Sequence, residues 1–207
     1  MSLAKSLCAF PSRKDDMYAK YQTEAVVLGS RNMNEADKIV ALFTRDFGLV
    51  QAKATAVRSE GSKMRYALQN FSRAQVALIK GASGWRVAGA VSISNTPDAG
   101  GEALAALARV SQLVLRLIKG EERNEYLFAA LADAHAALVQ KPCDAWATIE
   151  LMCVARILYS LGYLSFEAFE TALFSHTAYV GEHLKEAEKL REKLLASVNR
   201  AMGETHL

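Results

Sequence analysis

Seven basic side chains, Lys53, Arg58, Lys63, Arg65, Arg73, Lys80 and Arg86, stand between positions 53 and 86 against one acidic residue, Glu60. That is a net of +6 in a chain whose formal total is +3, so the charge is concentrated. Cations gathered this way do electrostatic rather than covalent chemistry. Each phosphate they neutralise releases condensed counterions, which makes a polyanion the natural ligand. A charge run alone is equally compatible with a solvated basic face. From Asp98 to Glu170 six basic residues face ten acidic ones, a net of −4, so the positive field does not extend into the second half.

Aromatic residues lie among these cations. Ser62-Lys63-Met64-Arg65-Tyr66 sets two cations beside a ring, and Trp85-Arg86 follows a glycine-flanked turn. Cations that track a backbone and rings that stack bases are the ingredients of sequence-tolerant single-strand binding. Alternate residues of a strand point to opposite faces, so Trp85 and Arg86 cannot both meet one ligand, and Trp85 reads as core. Lys53 and Arg58 share a face only if a bulge or strand end lies between them.

Signatures of covalent or metal chemistry are missing. The chain has no P-loop, G-x-G-x-x-G, H-E-x-x-H or G-x-S-x-G motif. His135, His176, His183 and His206 have no Cys or carboxylate at ligand spacing and read as helix-surface residues. Cys8, Cys143 and Cys153 form no C-x-x-C pair, and Cys153 reads as a core residue on a helix. Glu121-Glu122 suit a helix start better than acid–base work. The expectation is a protein that is not an enzyme and needs no cofactor or metal.

Positions 21–95 carry the period of strands: Tyr21–Ser30, Lys38–Thr44, Leu49–Val57, Gln75–Lys80 and Trp85–Ser94. Arg45-Asp46-Phe47-Gly48 and Gly81-Ala82-Ser83-Gly84 read as hairpin turns. Five short strands with a basic face predict an oligonucleotide-binding OB-fold barrel, with an SH3-like barrel as the competitor. Thr96-Pro97-Asp98-Ala99-Gly100-Gly101 marks a boundary. Beyond it the period becomes helical. Leu104, Leu107, Ser111, Val114 and Ile118 form one stripe ended by Gly120, and Leu127, Leu131, Ala134 and Leu138 a second stopped by Pro142. Asp144 is positioned to cap a third helix carrying Ile149, Met152, Cys153, Arg156, Ile157 and Leu161. Ser165 would start a short fourth with Phe166, Phe169 and Leu173. A last helix is expected from Glu182 to Met202, with Glu182 and Glu186 paired to Lys189 and Lys193.

The fold class expected is therefore α+β, in three parts: an extension at 1–20, a barrel at 21–97 and a helical bundle at 98–207. With 207 residues and 51% hydrophobic content the chain can bury a sizeable core. No apolar run reaches the ~18 residues of a membrane span, and Leu3–Phe10 is too short and is broken by Lys5 for an export signal. The cytoplasm is the expected compartment.

In order along positions 21–163, the chain also resembles a known family. The stretches are Glu24-Ala25-Val26-Val27-Leu28, Asn34-Glu35-Ala36-Asp37-Lys38-Ile39-Val40, Leu42-Phe43-Thr44, Phe47-Gly48-Leu49, Ala56-Val57-Arg58, Ser62-Lys63-Met64-Arg65 and Leu68-Gln69-Asn70-Phe71. In the second half they are Gly120-Glu121-Glu122-Arg123-Asn124 with Leu127-Phe128, and Leu161-Gly162-Tyr163. Together they resemble the RecO family of bacterial recombination mediators and DNA-repair proteins. Two departures stand out. The family commonly has glycine where Ala56 stands, and many members follow the G-Y with a four-cysteine zinc module, whereas Leu164–Tyr179 here contains no cysteine, so no metal ligands carry over.

The resemblance implies an OB-fold that binds single- and double-stranded DNA and anneals complementary strands. It also implies work with RecR to exchange single-strand-binding protein for the recombinase RecA, in the nucleoid. Lys53, Arg58, Lys63 and Arg65 become the leading phosphate contacts, with Arg73, Lys80 and Arg86 behind them. A groove for the acidic, apolar tail of single-strand-binding protein needs an apolar slot with a cation beside it, for which Arg116, Arg123 and Arg156 are candidates. An RNA-binding OB module and an OB-based protein scaffold are the alternatives.

Overall fold

Alternation of small and branched apolar residues builds five strands, β1 (Lys20–Asn32), β2 (Lys38–Thr44), β3 (Gly48–Ala54), β4 (Arg73–Gly81) and β5 (Gly84–Ser94). The structure is a computed structural model and describes residues 19–95, 101–164 and 172–204. The strands close into a barrel in the order β1-β2-β3-β5-β4, antiparallel except where β3 meets β5 in parallel at Ala52–Trp85 and Lys53–Arg86. This is the OB-fold, and the SH3-like alternative is set aside. Both predicted hairpin turns are present, with Thr44 opposite Gly48 and Gly81 opposite Gly84.

The barrel is filled by one set of alternate residues, among them Ala25, Val27, Val40, Leu42, Val50, Val76 and Leu78. The other set, including Val26, Leu28 and Phe43, points outward into a second core shared with the helices. This explains the unbroken burial of Ala25–Leu28. The outer face of β1 and β2 is thus apolar because helices cover it.

The helices are α1 (Gly101–Leu117), α2 (Glu125–Gln140), α3 (Trp146–Ser160), α4 (Gly181–Lys189) and α5 (Arg191–Glu204). The stripe of α2 is buried as expected, and so are Ile149, Met152, Cys153 and Ile157 on α3. Four expectations need correction. The third strand ends at Ala54 rather than Val57, because Ala56 adopts φ +52°, which no pleated ladder continues through. Leu104 is 38% exposed, since α1 turns Ala103, Ala106 and Val110 inward instead. Asp144 lies in a 3-10 turn, Cys143–Ala145, that runs straight into α3, so Ala145 is the cap residue and no side chain caps that helix. The long last helix breaks at Leu190, and both pieces pack on α3 with Arg191 bonded to Thr148 and Glu188 at the break. Residues 1–18, 96–100, 165–171 and 205–207 lie outside the described residues, and with them most of the extension, most of the boundary string, Ser165, Phe166, Phe169 and His206. Leu173 is buried within a 3-10 turn, Ala172–Phe174.

Candidate nucleic-acid interface

The segment between β3 and β4 is where the predicted cations gather, and Asp37 organises it. Its Oδ1 accepts the Ala56 N–H at 2.9 Å, and its Oδ2 pairs with Lys53 Nζ at 3.0 Å. The Ala56 backbone N–H, followed by Lys53, holds this carboxyl below its ordinary range. The Arg58 N–H donates to the Ala36 carbonyl at 3.0 Å, so the β1–β2 turn and the start of the loop are knitted together. The other end is clamped by Phe71, at φ +66°, whose N–H donates to the Val27 carbonyl at 2.7 Å, while Val27 N–H donates to Ser72 at 2.9 Å. Between these ties Val57, Ala67 and Leu68 plug the end of the barrel core. The loop is a frame on which Arg58, Lys63, Arg65 and Tyr66 are exposed.

Around this mouth Asn32, Lys38, Val57, Arg58, Arg65 and Leu68 line a cleft of about 360 Å3. None of the six is acidic. Lys38, Lys63 and Arg65 have no ion-pair partner among the described residues, and Arg58 donates only to the Asn34 carbonyl at 3.3 Å. Tyr66 is 64% exposed on the same loop. Lys38 escaped the sequence reading because Glu35 and Asp37 stand beside it; its register opposite Asn32 at the strand end was the signal that could have found it.

Lys53 lies on the flank of the barrel. The outer-face register runs Arg31, Ile39, Lys53, Arg86 from β1 through β2 and β3 to β5, three cations in one row across four strands. The strand end at Ala54 is what separates Lys53 on this row from Arg58 at the mouth.

Arg73 and Lys80 do not join either group. Arg73 pairs with Glu24 of β1 and donates to the Ala132 carbonyl at 3.2 Å, so its charge is met within the barrel and its side chain reaches α2. Glu24 also receives Arg45 at 2.6 Å, and Arg45 lies over the Phe128 ring at 4.9 Å. Burial would raise the Glu24 carboxyl, but the hydrogen bonds and charges of Arg73 and Arg45 outweigh it and hold it low. Lys80 pairs with Glu121 at 2.7 Å and sits 5.0 Å over Trp85. Trp85 is buried against Tyr21 and Phe47, a core residue as read.

The stretch Gly120–Asn124 docks on this opposite end of the barrel. Asn124 caps α2 by accepting the Leu127 N–H at 2.9 Å, and Glu122 presses its backbone on Gly48, where an added Cβ would stand 2.1 Å from the Glu122 oxygen. Glycine at φ +64° is required there twice over, by conformation and by contact.

Of the partner-site arginines, Arg156 is 1% exposed and donates to the carbonyls of Leu173, Thr177 and Ala178, so it is a buried clamp rather than a surface cation. Arg116 is exposed in the last turn of α1. Arg123 stands on the rim of a cleft of about 270 Å3 that includes Phe43, Ile118, Leu127 and Leu161. His135 is fully buried, not on a helix surface, and neither ring nitrogen reaches a hydrogen-bond partner among the described residues. Among the described residues no three His, Cys, Asp or Glu side chains cluster as metal ligands.

Residues 17–88 match the family Recombination protein O N terminal, a span that takes in the whole mouth and the outer row. Over this span the chain is similar to the RecO family. A DNA repair protein RecO from Pelotomaculum thermopropionicum is 32% identical over 115 residues, 55% of this chain and 45% of the relative. One from Desulfitobacterium hafniense is 40% identical over 63 residues, 30% of this chain and 23% of that protein. A third, from Bifidobacterium animalis subsp. lactis, is 42% identical over 76 residues, 37% and 32% respectively. The chain thus spans less than half the length of each of these curated relatives. Within this span Ala56 takes a left-handed backbone, the conformation that favours glycine, and alanine bears it.

Proposed function

We propose that this chain is a non-enzymatic mediator of recombinational DNA repair that binds single- and double-stranded DNA at the barrel mouth and along its outer row. The observation that carries the reading is the convergence of Lys38, Arg58 and Arg65 on one cleft with no carboxylate in its lining, inside a RecO domain. Phosphate held by unpaired cations on a rigid loop releases counterions without breaking ion pairs first. Two strands neutralised together repel less, which favours annealing of complementary bases. RecR, the tail of single-strand-binding protein and the RecA system are the proposed partners. The Arg123 cleft, where Phe43, Ile118, Leu127 and Leu161 stand beside Glu122, Asn124 and Ser160 and Arg123 pairs with Glu125, is the proposed seat of the tail. The proposed place of action is the nucleoid, and no described helix is long and apolar enough to cross a membrane.

The test is fluorescence anisotropy of labelled single-stranded DNA at several salt concentrations, with the complementary strand added afterwards. Replacing Arg58 and Arg65 together by alanine is expected to weaken binding for all sequences alike and to reduce the salt slope by about 2, roughly one per phosphate contact. Arg73→Ala is expected to leave the slope unchanged while lowering stability. Equal affinity of the double variant and the parent removes the mouth from the DNA site, and tighter binding of RNA than DNA changes the ligand class.

A further inference from the structure

The OB face of β2 and β3 is only partly covered by the helices. Where α1 leaves it, a second cleft of about 310 Å3 opens, lined by Gly29, Ser30, Arg31, Ile39, Ala41, Gln51 and Leu115. This volume is at the small end of ligand sites. Its floor is flat, because Gly29 and Ala41 pair across β1 and β2 with almost no side chain between the larger Ile39 and Leu115. The space over the floor is open: a Cβ added at Gly29 meets nothing within 4 Å. The polar groups sit at the edge. Gln51 is exposed and offers an amide with both donor and acceptor, and Arg31 is exposed with no ion-pair partner among the described residues.

A flat apolar floor, an aliphatic wall and amide and guanidinium groups at the rim match a planar heterocycle whose faces are apolar and whose edge carries donors and acceptors. The charge beside it fits the same ligand. Arg31 and Ile39 belong at once to this cleft and to the cation row that runs on to Lys53 and Arg86, so a chain whose phosphates follow the row lays its bases over Gly29. We infer that the cleft between the β1–β3 face and Leu115 of α1 is a base slot, taking one unstacked nucleobase of a single strand whose phosphates lie on the Arg31, Lys53 and Arg86 row. The inference rests on the DNA-binding reading. A base within a duplex must unpair and unstack to enter, so the slot favours unpaired strands and makes the helical half, through Leu115, part of strand discrimination.

The experiment compares three probes by anisotropy: an oligothymidylate, an abasic oligonucleotide with the same number of phosphates, and a duplex. The parent protein is expected to prefer the intact strand over the abasic one by about fivefold, the low end of what one base contact contributes. Gly29→Ile fills the slot from its floor, and Gln51→Ala removes the rim amide from an exposed position. Both are expected to lose the preference for the intact strand while keeping the salt slope and the duplex affinity. Tyr66→Ala is expected to keep the preference, because Tyr66 lies on the loop and not in the slot. Equal binding of intact and abasic strands by the parent overturns the slot and leaves the DNA reading standing, as does a preference that survives both slot variants. Failure of all three probes to bind at low salt overturns the DNA reading and the slot together.

Discussion

The mouth of the barrel and its helix-covered side treat the same kinds of side chain in opposite ways. At the mouth Lys38 of β2 and Lys63 and Arg65 of the β3–β4 loop have no ion-pair partner among the described residues, and the loop is tied down by bonds to Asp37 and Val27. At the helix-covered side Arg45, Arg73 and Lys80 are matched by Glu24 and Glu121, and the aromatic rings of Phe128 and Trp85 lie beneath Arg45 and Lys80. A run of positive charge in the chain is therefore not the same thing as a positive surface. What separates the two is where the carboxylates fall after folding: Glu24 is adjacent to Arg73 through β1–β4 pairing, and Glu121 reaches Lys80 from another part of the fold. Unpaired charge meets phosphate without first breaking an ion pair, while the Lys80–Glu121 pair and the Arg73 bond to Ala132 tie the barrel to the helical half.

The contrast can be broken most severely at the docked end. Gly48→Ala sets a Cβ 2.1 Å from the Glu122 oxygen at a left-handed backbone position, so the α1–α2 connection has to move off the barrel. Destabilisation of about 3 kcal/mol or more is expected in chemical denaturation. An unchanged midpoint would mean that the two ends do not differ in this way.

A second handle, on the helix-covered side, is pH. Burial, with Arg73 nearby, pushes the His135 imidazole down to about 4, while the Phe71 backbone works weakly the other way. The folded state therefore resists a proton that the unfolded chain accepts near its ordinary value of about 6.5. Stability is full above that value, falls as pH drops towards 4 and levels off below it. The loss across the window is on the order of 3 kcal/mol, at about 1.36 kcal/mol for each pH unit between the two values. His135→Leu is expected to flatten the denaturation midpoint between those pH values, and a slope that persists would move its origin elsewhere.

The smallest effect sharpens the mouth. Ala56 carries φ +52° to present its N–H to Asp37, and Ala56→Gly relieves that strain without removing the bond. A gain of about 1 kcal/mol is expected in thermal unfolding, with DNA affinity unchanged. A loss of stability would show that the alanine methyl packs usefully.

Much of the fold was legible in the chain because local period and punctuation decide it. Strand alternation, the Arg45–Gly48 and Gly81–Gly84 turns and the stripe of α2 follow from short-range geometry. The misses came where a long-range contact overrode a local signal. His135 reads as a surface residue in the sequence because its burial depends on the barrel lying against α2. Arg156 looks like a surface cation because the carbonyls of Leu173, Thr177 and Ala178 that it clamps are distant in sequence. Arg73 and Lys80 group with the mouth because they share its segment, not its side of the barrel.

By itself the sequence determined a β-rich half with concentrated positive charge, a helical half, and a cluster of cations between the third and fourth strands. These depend on residue types and spacings that survive any arrangement of the parts. Only the folded arrangement decided which cations stay unpaired, that Lys38 and Arg31 join them, and that α1 overhangs the open sheet face to leave a slot beside the cation row. Ion pairing and clefts are made between residues far apart along the chain, and their energies turn on ångström distances that strand closure and helix docking alone set.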